Sequence, residues 1–202
     1  MNDSINNRFM ASVRHGMLAL AVLAAGASHA VAQDEHSPMQ MDRMEHHQSG
    51  NLTGALLKIV RESTARFKDV NAAMAEGYVL QFGCVTGSDS GAMGLHYVNG
   101  DLVNSGVLDP TKPQIVIYEP MPDGSLKLIG ADYLVIAETW NKTHSGPPEM
   151  MGQLFHLFDA PNRFGLPAFY TLHVWAWKDN PNGAFVNWHP NVSCASYAGS
   201  NN

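Results

Sequence analysis

Three histidines and one glutamate stand where β-strands of this chain are otherwise apolar. In Gln114–Glu119, one alternating face carries Ile115, Ile117 and Glu119, so a carboxylate shares the apolar side. In Leu154–Phe158, His156 lies between Leu154 and Phe158 on one face. In Tyr170–Trp177, His173 shares a face with Trp175 and Trp177, and His96 points the same way as Val98. Burying a carboxylate or an unpaired imidazole is costly, so such groups are usually hydrogen-bonded, paired or bound to metal. Two or three His with one carboxylate form a common mononuclear metal set that leaves a position open. His96, Glu119, His156 and His173 are therefore the expected ligands of one divalent transition metal. Zinc, copper, iron and nickel are not distinguished by these donors. None of the four forms a compact local motif such as H-E-x-x-H, so their convergence depends on the fold.

Other residues rank below this set. Glu138 ends an apolar strand and could replace or join Glu119, while His144 sits in a Thr-His-Ser-Gly-Pro-Pro loop. His189 follows Trp188 and precedes Cys194, where a disulfide could hold it over the site. Trp140, Trp175, Trp177 and Trp188 could line an aromatic pocket, although core packing is their commoner use. No G-x-S-x-G elbow, phosphate-binding loop or dinucleotide fingerprint is present.

The elements that must position the four ligands follow from periodicity. From Leu52 to Glu76, Leu56, Val60, Ser63, Phe67, Val70 and Met74 recur at steps of four and three, the pattern of an amphipathic helix, with Gly77 as its stop. After Tyr78 the period becomes two. Strands are expected at Tyr78–Phe82, Gly94–Val98, Gln114–Tyr118 (or to Glu119), Lys127–Ile129, Tyr133–Ala137, Leu154–Phe158 and Tyr170–Trp177. Turn clusters such as Asn99-Gly100 and Pro122-Asp123-Gly124 separate them. The expected class is mainly β (α+β): a small antiparallel β-barrel or sandwich with one N-terminal amphipathic helix packed on it.

Composition restricts the partners. Of 202 residues, 12 are Lys or Arg against 18 Asp or Glu, a formal charge of −6 that excludes binding nucleic acid through a general basic field. Residues 1–32 have the layout of a secretory signal peptide: basic Arg8 and Arg14, apolar Met17 to Ala27, then Ala30-Val31-Ala32 before Gln33. The mature protein is expected in a periplasm or outside the cell, off the membrane. In an oxidising compartment Cys84 and Cys194 are expected to pair as a structural disulfide. Residues 33–50 hold almost no aliphatic side chain and are expected to be a disordered tail. Its His36, His46, His47, Met39, Met41 and Met44 suit copper or another soft metal. A single β-rich domain then occupies 51–202.

Three long stretches resemble a family of secreted bacterial proteins of uncharacterised activity. They are Gly91–Asn99 (GAMGLHYVN), Asp109–Pro120 (DPTKPQIVIYEP) and Phe169–Cys194 (FYTLHVWAWKDNPNGAFVNWHPNVSC), with Gly152–His156 (GQLFH) between them. The resemblance spans roughly residues 55–197 and places His96, Glu119, His156 and His173 inside the shared motifs. At the position of His189 the family pattern more often has Asn. The cupin metal spacing is not matched, so a cupin-like barrel is an analogy only. Two functional classes follow: a metal-site protein acting as hydrolase, oxidoreductase or copper handler, or a metal-free module binding a small apolar or aromatic ligand.

Overall fold

The structure is a computed structural model that describes residues 38–200, with side chains described from Gly50 onward. The expected signal peptide, and residues 33–37 of the expected tail, lie outside the described residues. Among the described residues no helix is long and apolar enough to cross a membrane.

Helix α1 runs Pro38–Thr64 and so takes in most of the segment expected to be disordered. That expectation weighed only the lack of aliphatic side chains. Met, Gln, Arg and Glu are good helix formers, and the segment is continuous with a stretch anchored by Leu56 and Val60, both fully buried. The single helix expected to Glu76 is broken. Its chain tightens into a 3₁₀ turn, Ala65–Lys68, and restarts as α2, Val70–Ala75. Asp69 caps the restart by accepting from Asn71 N at 3.0 Å. Tyr118 donates to the Phe67 carbonyl at 2.7 Å, which fixes the break over the sheet.

The sheet elements are β1 (Tyr78–Thr86), β2 (Ala92–Asn99), β3 (Ile115–Pro120), β4 (Leu126–Ile136), β5 (Glu149–Met150), β6 (Gln153–Leu154), β7 (His156–Phe158) and β8 (Phe169–Val174). Short helices α3 (Gly100–Ser105) and α4 (Ala137–Asn141) connect some of them. Six strands form one antiparallel sheet in the order β1-β2-β3-β4-β8-β7, and β5 pairs with β6. No closed barrel forms among the described residues, because the edge strands β1 and β7 do not pair with each other. Mainly antiparallel α+β is the architecture. Two strands expected at Lys127–Ile129 and Tyr133–Ala137 are one continuous β4. Gly130, which looks like a break in sequence, is required by close approach: a Cβ there would lie 2.6 Å from the Val174 carbonyl oxygen.

The two faces of the sheet differ. On one, Leu56 and Val60 of α1 pack with Tyr133, Val135, Leu172 and Val174. Arg61 donates to the Ala176 carbonyl at 2.5 Å and Trp177 to Thr64 Oγ1 at 3.0 Å, fastening helix to sheet. The opposite face carries Ile115, Ile117, Leu134 and Phe169 together with buried polar groups.

Cys84 on β1 and Cys194 form the expected disulfide, closing a separation of 110 residues. Such a bond persists in an oxidising compartment. Replacing both cysteines by serine is expected to lower stability by about 2–5 kcal/mol. Urea unfolding of the oxidised native protein and of the double variant measures the difference.

Candidate metal centre

Strand register places the buried polar groups on one face. Asp132 on β4 lies directly opposite His173 on β8 and Ile115 on β3, while His96 on β2 lies opposite Ile117. Residues opposite each other across antiparallel strands project the same way, so His96, Asp132 and His173 share a face. In a flat sheet β2 and β8 would stand roughly 14 Å apart, three strand spacings. Yet His96 Nε2 and His173 Nε2 are 3.5 Å apart. The face is therefore concave. Register shifts in β1–β2 and between Ile117 and Tyr118 supply bends that a regular ladder lacks.

All three side chains are almost fully buried: His96 is 6 % exposed, Asp132 2 % and His173 3 %. Among the described residues their ligand atoms lie within 4.8 Å of one another. His96 Nδ1 is 3.2 Å from the Gly94 carbonyl, so it donates its proton there and leaves Nε2 with a free lone pair. Gly94 can present that carbonyl because its φ is +92°, and a Cβ would come within 2.6 Å of the Tyr118 carbonyl. Thr171 donates to Asp132 Oδ1 at 2.5 Å. His173 Nδ1 is 3.7 Å from the same oxygen and makes no hydrogen bond of regular geometry, with the Asn187 side chain as a further polar neighbour of the ring.

Burial sets the charges. It pushes His96 down to about 4, aided by the neighbouring His173. It pushes His173 down to about 3, aided by His156. The same loss of solvent raises Asp132 to about 6, against the bond from Thr171. At neutral pH the centre is thus two uncharged imidazoles and one carboxylate. Neutral imidazole and ionised carboxylate are the metal-binding forms, and among the described residues the side chains that meet the Asp132 carboxylate, Thr171 and His173, bring no positive charge to it at neutral pH. For two nitrogens held at about 2.0–2.1 Å in tetrahedral coordination, the expected N···N separation is roughly 3.4 Å. The two Nε2 atoms are close to that spacing.

Two of the four sequence-expected ligands, His96 and His173, come together here; the other two are placed elsewhere. Glu119 is held by Lys178 Nζ at 2.6 and 2.8 Å, and accepts from Ser193 N at 3.2 Å. Lys178 also donates to the Asn191 carbonyl at 2.5 Å, so the pair clamps the C-terminal segment. The reason is the register shift after Ile117, which takes Glu119 out of line with His96 and Asp132. His156 is exposed on edge strand β7, opposite Thr171 but outside the converging group. The carboxylate that lies beside the two histidines is Asp132. It was hidden because Gly130-Ala131-Asp132 resembles a turn. Alternation of Asp132 with Leu134 and Ile136 along a continuous strand is the signal that would have found it.

The lower-ranked residues do not enter the centre. Glu138 is exposed and pairs with Lys142 at 3.2 Å. His144 stacks on Trp140 with ring centroids 3.6 Å apart. His189 is fully buried edge-on to Trp175, and its backbone bridges to Ala92. The tryptophans are dispersed rather than gathered into one pocket: Trp175 is core, and Trp177 lies under Lys68 at 4.2 Å. The cavity over the centre is lined instead by phenylalanines, among them Phe82, Phe158, Phe164 and Phe169. Compared with protein-family models, curated proteins and solved structures, the chain matches none, so its chemistry is read from this geometry.

Acid sensitivity follows from the charges. The unfolded chain protonates each histidine near its ordinary 6.5, whereas the folded metal-free chain resists to about 4 for His96 and about 3 for His173. Asp132 acts the other way, since the folded chain takes its proton near 6 and the unfolded chain near 3.8. Between those two values the unfolded chain binds about one proton more, so these groups remove on the order of 1.4 kcal/mol of stability per pH unit lost. The urea midpoint of the metal-free protein should fall from pH 6 to pH 4, and fall less steeply in His173→Leu. Separately, Glu119→Gln is expected to cost about 1–3 kcal/mol by weakening the bonds to Lys178 and Ser193, read from the same unfolding curves.

Proposed function

We propose that this chain is an exported protein carrying one divalent transition metal held by His96, Asp132 and His173. The observation that carries the reading is the convergence of these three buried side chains, with the two Nε2 atoms facing each other at 3.5 Å. His96 Nδ1 is committed to a backbone carbonyl, the outer-shell arrangement that orients a metal-binding imidazole. Three protein ligands leave at least one position for water or a substrate, so the metal can act as a Lewis acid or bind a small molecule. Hydrolytic or oxidative chemistry is the class this supports. The disulfide, the signal-peptide layout of residues 1–32 and the resemblance to secreted proteins support a periplasmic or extracellular location.

The phenylalanine lining favours one other reading, a metal-free site for a small apolar ligand. In that case the buried polar groups would satisfy each other. Against it, the buried Asp132 carboxylate would be left with Thr171 and two uncharged imidazoles and no cation beside it.

Elemental analysis of the mature protein, purified without an affinity tag, decides between them. The expected result is one equivalent of a single metal, reduced more than tenfold in Asp132→Ala and His173→Ala and retained in His156→Ala. A chain starting at Asn51 should keep it, which separates the sheet centre from metal held by the Met/His segment. A well-folded protein that contains no metal and takes up none on reloading overturns the proposal.

A further inference from the structure

The space beside the centre restricts what can share its metal. The cavity measures about 30 Å³. A water-sized body needs roughly 10–15 Å³ by this measure, so about two such bodies, or one diatomic molecule, fit. The walls are Phe82, Met93, Phe158, Phe164, Leu166 and Phe169. The polar groups that reach the cavity already have roles at the centre: Thr171 donates to Asp132, and His96 Nδ1 to the Gly94 carbonyl. Apart from these groups and His173 of the centre itself the lining is apolar, so the desolvation of a charged guest would go largely uncompensated.

The wall is also held in place. Phe164 and Leu166 belong to the loop between β7 and β8, where Asn162 Oδ1 accepts from both of their backbone N–H groups at 3.2 and 3.3 Å. Arg163 reaches across to donate to the Thr86 carbonyl on β1 at 2.8 Å. The Phe164 ring packs against Phe82, also of β1, and against Phe158 and Phe169, with centroids 5.3, 6.1 and 6.2 Å away. A loop fixed at both its turn and its tip does not yield readily to a larger ligand.

We infer that the open position of this centre takes a neutral diatomic ligand of the dioxygen class and disfavours anionic or larger ligands. This rests on the proposed metal centre and concerns coordination alone. A diatomic gas loses almost no hydration on entering an apolar cavity, whereas azide or a carboxylate loses a great deal. Selection comes from the phenylalanine wall, and Phe164 is its removable part.

The full mature chain is loaded anaerobically with iron(II) or cobalt(II), and bound metal is counted before any ligand is added. Nitric oxide then serves as the probe for a neutral diatomic, read by electron paramagnetic resonance, and azide as the probe for an anion, read by optical titration. One nitrosyl per metal is expected, with azide binding at least tenfold weaker to the native chain than to Phe164→Ala. Leu166→Ala, which opens the same wall from a different residue, gives the same comparison if Phe164→Ala does not fold. A metal-loaded chain that forms no nitrosyl overturns the inference and leaves the metal centre standing. So does azide that binds native and variant chains equally tightly. A chain that takes up neither iron nor cobalt overturns the inference, and one that takes up no metal at all overturns the proposed function with it.

Discussion

Asp132 and His173 face each other across the β4–β8 ladder, both buried, with His96 reaching toward them from three strands away. A carboxylate in such a place is expensive unless something positive meets it, and both imidazoles are held neutral by the same burial. Much else follows from accommodating that group. Thr171 bonds it, the sheet is curved around it, and Gly94 and Gly130 allow backbones to approach where a side chain would collide. A divalent ion would neutralise the carboxylate and use both lone pairs at once.

The sheet separates two tasks by face. Its helix side is an ordinary apolar layer, with Leu56 and Val60 against Val135 and Val174, fastened by Arg61 and Trp177. The stability of that layer lets the other side carry polar groups that do not stabilise the fold by themselves. Around the concave face the chain adds a phenylalanine loop at one rim and the C-terminal segment near the other elements of β1 and β2. The disulfide from Cys84 and the Glu119–Lys178 pair hold that segment. Charge pairing with Lys178 satisfies a buried glutamate without a metal.

Much of this was readable one strand at a time. Alternation of polar and apolar residues placed His96, His156 and His173 on site-facing sides of their strands, cysteine pairing was evident from number and compartment, and the helix was marked by its three-and-four spacing. These are local properties, fixed by the geometry of a single element. The sequence by itself therefore determined most of the element types and which residues of one strand share a face. Tertiary structure decided which of them meet. Strand order, the register shift after Ile117, the continuity of β4 through Gly130 and the edge position of β7 set distances between segments far apart in the chain. That is why Asp132 rather than Glu119 stands beside the two histidines, and why His156 remains at the solvent edge: convergence depends on register and curvature between strands, which the alternation within one strand does not encode.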